Sequence, residues 1–243
     1  MNINTIIIPL ISSLSTLIGI IPTYFNKEKQ DNLINKSLSF SLGIILTLSI
    51  ISLIPEAINY QKEINFPKII IILIFIVLGI ISSQLIDYNL NNNINNKLYK
   101  LGLISIIAMT LHNIPEGITT YLTTSSNFKL GLKLSIAIAL HNIPEGISIA
   151  IPIYYSTKNR FKAFFLTLLA SLSELLGTII AYLFIKEINP LIMSFILSLT
   201  AGIMIHISLY EIYPNTKQYN NKKITYKYII IGIITMFICH LIL

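Results

Sequence analysis

Residues 101–153 read LGLISIIAMTLHNIPEGITTYLTTSSNFKLGLKLSIAIALHNIPEGISIAIPI. Two apolar runs, 101–125 and 132–153, are each long enough as a helix to cross a hydrocarbon core of about 30 Å at about 1.5 Å per residue. Each carries near its middle the same six-residue word, His112-Asn113-Ile114-Pro115-Glu116-Gly117 and His141-Asn142-Ile143-Pro144-Glu145-Gly146, at an offset of 29 residues. That offset is about one span plus a short turn. The copies therefore sit on consecutive, oppositely directed helices. Within each copy His and Glu are four apart, stacked about 6 Å along one helical face, with Asn rotated about 100° from His. One face thus presents an imidazole, an amide and a carboxylate.

Working outward, further charge-poor apolar runs occur at 4–25, 38–58, 67–86, 163–185, 190–213 and 225–243. With 101–125 and 132–153 these predict eight transmembrane helices in one all-α polytopic membrane domain spanning 1–243. The composition agrees: of 243 residues 54% are hydrophobic and 11% charged, with a mean hydropathy of +0.75. Eight spans of about 20 residues use about 160, which leaves no room for a soluble domain of useful size. Strands fit poorly, because the runs are too long and too uniformly apolar for the alternation of a membrane barrel. The first run lacks a basic n-region and is long enough to span, so it reads as a helix and not as a cleaved leader. The single cysteine, Cys239, excludes an internal disulfide framework and a cysteine zinc site.

If the helices alternate in direction, the loops after spans one, three, five and seven share a side. They hold Lys27, Lys29, Lys36, Lys97, Lys100, Lys158, Arg160, Lys162, Lys217, Lys222, Lys223 and Lys227, 12 of the 17 cations. By the positive-inside bias that side is cytoplasmic and both termini are extracytoplasmic; the expected location of this multi-pass protein is the cell (inner) membrane. The net charge of +7 is then a topogenic signal and does not call for a nucleic-acid partner. The low-complexity stretch 87–100, rich in Asn, reads as a flexible cytoplasmic connector between two halves of the bundle.

The ten acids divide evenly. Glu28, Asp31, Glu63, Asp87 and Glu187 fall in loops, whereas Glu56, Glu116, Glu145, Glu174 and Glu211 fall within spans. An ionised carboxylate at the bilayer centre costs at least a few kcal/mol, so these groups need cations, protons or water. No Lys or Arg lies in mid-span to supply the charge. Proline at the fourth position of each word frees the carbonyls of Leu111 and Leu140, predicting kinked fourth and fifth helices of the discontinuous kind that line ion pathways. Counting from span centres puts His112, Asn113, Glu116, His141, Asn142, Glu145 and Glu174 at one depth. Imidazole suits Zn²⁺, and carboxylate and amide oxygens admit Fe²⁺ or Mn²⁺. Three glutamates offset more than one divalent charge, which admits a two-metal site.

The paired HNIPEG words, with Leu53-Ile54-Pro55-Glu56-Ala57 closing the second span and Ser171-Leu172-Ser173-Glu174-Leu175-Leu176-Gly177 in the sixth, resemble the ZIP (Zrt/Irt-like) divalent metal transporters, most closely their bacterial ZupT branch. The resemblance covers essentially the whole chain. It implies uptake of Zn²⁺, and of Fe²⁺, Mn²⁺ or Cd²⁺, into the cytoplasm through a binuclear site between helices four, five and six. Carried over, Glu116 and Glu145 bridge two metals, His112 and His141 favour the zinc-like position, and Asn113, Asn142 and Glu174 complete an oxygen-rich one. The resemblance also implies that spans one, four, five and six move as a transport unit. Here the loop between spans three and four has no His, where many relatives have a His-rich one.

The expected partners are divalent ions as cargo, the lipid bilayer and, in a homodimer, a second copy; no nucleic acid and no resident cofactor are expected. Glu56, near the outer end of its span, is either an entrance ligand or a carboxylate reaching the interface. His206 and Glu211 could form an exit site, although a five-residue spacing puts them on different faces unless the helix is distorted near Pro214. Met109 and Met204 read as packing, and His240 as interfacial. Two other classes remain: an intramembrane metal-dependent hydrolase, against which no HExxH word occurs, and a passive cation channel with a Glu ring. No Walker A word is present to couple ATP.

Overall fold

The computed structural model describes residues 4–25, 30–61, 68–185, 187 and 189–242; Lys27, Glu28, Lys29, Lys62, Glu63 and Lys186 lie outside the described residues. All regular structure among the described residues is helical, and eight helices are long and apolar enough to cross a membrane. They are α1 (Thr5–Tyr24), α2 (Gln30–Tyr60), α3 (Ile69–Leu90), α4 (Lys97–Ser126), α5 (Phe128–Thr157), α6 (Arg160–Phe184), α7 (Pro190–Lys217) and α8 (Lys222–Leu241).

Several helices outrun their apolar runs. Hydropathy marks only the part that meets lipid, whereas the backbone stays helical into the polar margin wherever capping groups are present. Asparagine supplies those groups. The side chains of Asn96, Asn127, Asn159, Asn189 and Asn221 accept hydrogen bonds from Tyr99, Leu130, Lys162, Leu191 and Ile224 amides at 3.1, 3.1, 2.9, 3.0 and 3.2 Å, so α4 to α8 each begin on an Asn cap. The expectation of a flexible connector over 87–100 is corrected by the same chemistry. The third helix runs Lys68–Asn93 and the fourth starts at Lys97, leaving a link of residues 94–96.

The prolines act in two ways. Ahead of Pro55 and Pro214 the chain widens into π-helical turns, Ser49–Leu53 and Ile207–Ile212, which take up the clash between a proline ring and the carbonyl four residues earlier. The segments carrying Pro115 and Pro144 are instead helical throughout, Lys97–Ser126 and Phe128–Thr157, with no widened turn ahead of either proline.

Packing sorts the helices into two groups. In the first, α1, α4, α5 and α6 surround one another; in the second, α2 pairs with α8, and α3 with α7. Glycines let backbones touch within each group. A methyl on Gly117 would overlap the Glu174 carbonyl oxygen of α6, and one on Gly146 would overlap the Thr16 carbonyl of α1. These are the last residues of the two HNIPEG words. Gly43 and Gly232 join α2 to α8, and Gly79 and Gly202 join α3 to α7, in the same manner. Met109 and Met204 are buried in the apolar core, as expected.

Candidate metal centre

Asn127 is the sole residue between α4 and α5. Its amide closes the end of α4 on the Thr123 carbonyl at 2.8 Å while its side chain caps α5. Since His112 lies 14 residues before Ser126 and His141 lies 14 residues after Asn127, folding the hairpin sets the two imidazoles level. Their ring centroids are 6.0 Å apart. Their glutamates point along the two antiparallel axes in opposite senses, Glu116 toward the turn and Glu145 away from it.

The four side chains close into one cluster. Glu116 Oε1 lies 2.9 Å from His141 Nε2 and 3.1 Å from His112 Nε2, and Glu145 Oε1 lies 3.6 Å from His112 Nε2. One ligand atom from each of His112, His141 and Glu145 lies within 4.8 Å of the other two, a span that one cation could fill. Glu145 and His112 are wholly buried.

Glu174 of α6 approaches from the α1 side. Asn142 Nδ2 donates to Glu174 Oε2 at 2.9 Å and to the Ser12 carbonyl at 3.1 Å; Asn113 Nδ2 donates to the Ala170 carbonyl, one turn before Glu174, at 3.3 Å. These bonds fix both amides with their carbonyl oxygens turned away from the backbone acceptors. The structure thus joins His112, Glu116, His141 and Glu145 directly, joins Asn142 to Glu174, and seats Asn113 on the same helix as Glu174.

The chemistry of the set lies in what it leaves unpaired. Among the described buried side-chain N and O atoms, 16 have no hydrogen-bond partner, and eight of them belong to these residues: both ring nitrogens of His112, Asn113 Oδ1, Glu116 Oε2, Asn142 Oδ1, both Glu145 oxygens and Glu174 Oε1. Buried acceptors without donors are costly and rare in folded proteins. Carboxylate and amide oxygens beside imidazole nitrogens have a common complement in a divalent cation.

A cleft of about 70 Å³ reaches the cluster, with room for several waters. Glu116 and His141 lie at its floor, Thr119, Ser52 and Glu56 on its walls, and Leu197, Met236 and Cys239 complete the lining. These residues belong to the halves of their helices remote from the end that carries the ten of those 12 cations that are described, hereafter the basic end. Glu56 is half-buried and faces this cleft. His240, exposed, lies 3.3 Å from Ser52 Oγ.

His206 and Glu211 are elsewhere, near the basic end. The π-helical turn Ile207–Ile212 follows His206 and contains Glu211, the distortion their five-residue spacing requires to share a face. They do not bond each other: His206 Nδ1 is 2.9 Å from Ser83 Oγ, and Glu211 Oε1 accepts from Lys100 Nζ at 3.1 Å. Two expectations are thereby corrected. Glu211 has a basic partner, because Lys100 enters the buried zone from the first turn of α4, and Asp87 is not in a loop but on α3, 2.6 Å from the same Lys100 Nζ. Sequence reading also passed over Ser12, Ser13 and Thr16 of α1, which bond across to α5 and α6 or pack on Gly146. The only signal for them was the hydroxyl-rich run Ser12-Ser13-Leu14-Ser15-Thr16 inside an apolar span.

Comparison with known proteins supplies the family. A family model described as "ZIP Zinc transporter" matches residues 92–240. The chain is 33% identical to the "Zinc transporter ZupT" of Chlorobium chlorochromatii over 251 residues, covering 93% of this chain and 92% of that protein. It is 32% identical to that of Streptococcus mutans over 247 residues, covering 95% and 94%. Against that of Oceanobacillus iheyensis the identity is 44% over 147 residues, covering 60% and 55%. With the doubled HNIPEG word at the heart of its eight-helix bundle, the chain belongs to the ZIP zinc transporter family.

Proposed function

We propose that the protein is a carrier, not an enzyme, that takes Zn²⁺ and related divalent cations across a cell membrane into the cytoplasm, with its basic end cytoplasmic and both termini outside. The observation that carries this reading is the concentration of unpaired buried donor atoms on His112, Asn113, Glu116, Asn142, Glu145 and Glu174, in a cluster whose members Glu116 and His141 line a cleft. A cation enters past Glu56, whose carboxylate raises its local concentration and strips part of its water. Glu116 and His141, the cluster members on the cleft, receive it first. Glu145 and His112 complete a zinc-like position, and Glu145, Glu174, Asn113 and Asn142 offer an oxygen-rich second position, with Glu116 and Glu145 bridging the two.

The two helix groups support alternating exposure. Glycine contacts weld α1, α4, α5 and α6 internally and weld α2 to α8 and α3 to α7, so each group can move as a body while the boundary between them slides. The cleft lies along that boundary, lined from α2, α7 and α8 on one side and α4 and α5 on the other. A passive channel would need an aqueous path on both sides of the cluster at once, whereas this cleft comes only from the halves remote from the basic end.

The test is uptake into reconstituted vesicles loaded with a metal-sensitive dye, with Zn²⁺, Fe²⁺, Mn²⁺, Cd²⁺ and Cu²⁺ in competition. Saturable Zn²⁺ uptake is expected, and flux that rises in proportion to the gradient without saturating would identify a channel instead. In the same assay Glu174→Gln is expected to weaken Fe²⁺ or Mn²⁺ transport about tenfold more than Zn²⁺, because it removes a hard anionic oxygen from the imidazole-poor position. Equal loss for every ion would remove the division between the two positions.

A further inference from the structure

Lys100 lies about 22 Å along α4 from Pro115, at the end of the molecule opposite the cleft. It is 7% exposed, and its ammonium bonds two carboxylates from the other helix group: Asp87 Oδ1 of α3 at 2.6 Å and Glu211 Oε1 of α7 at 3.1 Å. Other polar links among the described residues cross the group boundary in the same half. Ser41 Oγ of α2 donates to the Pro144 carbonyl of α5 at 3.0 Å, and Lys158 Nζ donates to Gln30 Oε1 at 2.7 Å. The last is exposed and contributes little. The Lys100 triad differs in that Lys100 and Glu211 are buried and Asp87 is partly so, and separating the buried pair without water or a new partner would strand a charge, a loss far larger than that of a surface pair.

We propose that the Asp87–Lys100–Glu211 triad is a lock that holds the basic end shut while the cleft is open. The proposal rests on the alternating-exposure reading above and adds what sets the balance between its two states. The bonds join the group that carries the metal cluster to the group that does not, so sliding one past the other must break them. The widened Ile207–Ile212 turn places Glu211 beside α4, and Asp87 sits near the end of α3, so both acids come from the same group and Lys100 alone comes from the other. An arriving divalent cation stabilises the sliding state by what it gains at the cluster, and the triad sets how much gain is needed.

Two thiols report the two ends. Cys239 lines the cleft. Ser105, buried on the face of α4 that leads from His112 toward the basic end, provides the second site through Ser105→Cys in a Cys239→Ser background. Alkylation by a water-soluble maleimide is followed in purified, detergent-solubilised protein. Lys100→Met, and separately the isosteric pair Asp87→Asn with Glu211→Gln, are expected to raise the rate at the Ser105→Cys thiol about tenfold, as for a minor state favoured tenfold more, and to slow or leave unchanged the rate at Cys239. Lys100→Arg, which keeps the charge and donors, is expected to hold both rates near the parent's. Rates that rise together at both thiols would mean general loosening and overturn the lock, as would rates unmoved by both sets of substitutions. Absence of Zn²⁺ uptake by the unmodified protein would instead remove the transport reading, which the thiol rates do not measure.

Discussion

Glu145→Ala is expected to reduce Zn²⁺ uptake by about 100-fold or more, since even groups that only support a metal ligand are worth about 10- to 100-fold. Glu145 is the cluster member with the strongest case. It is wholly buried, neither carboxylate oxygen has a hydrogen-bond partner, and Oε1 lies 3.6 Å from His112 Nε2. A carboxylate in that setting stabilises nothing in the metal-free protein, because burying it costs more than its surroundings return. The metal-free Glu145→Ala protein is therefore expected to melt no lower than the parent, while the rise in melting temperature that Zn²⁺ gives the parent disappears. Uptake within about twofold of the parent would end the assignment of Glu145 as a ligand, since loss of one would be felt at least at the about tenfold level of a supporting group. His141→Ala should act in the same direction, since its Nε2 shares Glu116 with His112.

Gly146→Val is expected to fail by a different route, in the fold before the site. The new side chain would overlap the backbone carbonyl of Thr16, and a backbone cannot swing aside as a side-chain end can. Overpacking a tight contact costs about 1–3 kcal/mol, and this one lies at the upper end because α1 must withdraw as a body. Withdrawal also carries the Ser12 carbonyl away from Asn142 Nδ2, now 3.1 Å apart, so the amide that positions Glu174 loses an anchor. Both a lower melting temperature and impaired uptake follow. Gly102→Ala is the matched comparison: its methyl meets the flexible end of the Ile153 side chain, and its melting temperature is expected to fall much less. Equal shifts for the two substitutions would show that the α1–α5 contact has no special tightness.

Much of this was legible in the chain itself. Hydropathy located all eight helices because each has to bury its own backbone in hydrocarbon, a requirement that acts locally and leaves a local trace. The repeated word gave His112, Glu116, His141 and Glu145 because helical spacing fixes which side chains share a face, and the turn between the copies was short enough to count across. Glu174 followed from depth alone. What escaped was what pairing decides. Asp87 and Lys100 read as loop charges because nothing in an Asn-rich stretch announces that the helices continue and then meet Glu211. The π-helical turns arise from prolines that look, letter by letter, like Pro115 and Pro144, yet those two sit in unbroken helices. The serines of α1 were hidden for the opposite reason. A hydroxyl within an apolar helix ordinarily satisfies itself on the preceding turn, and only the arrival of α6 gives the Ser13 hydroxyl a longer reach, onto Ser171, while Ser12 meets α5 through its backbone carbonyl, which accepts from Asn142.

The single-residue joint at Asn127 also limits how the gene for this protein can be altered. Most surface turns absorb added residues with little consequence, which is why tags and fluorescent proteins are spliced into them. This turn behaves as a ruler. Each residue inserted into the helical stretch beside it rotates one imidazole about 100° and lifts it about 1.5 Å relative to the other, so a single added codon misaligns both copies of the motif together. Reporter insertions and circular permutations are better directed to other connections.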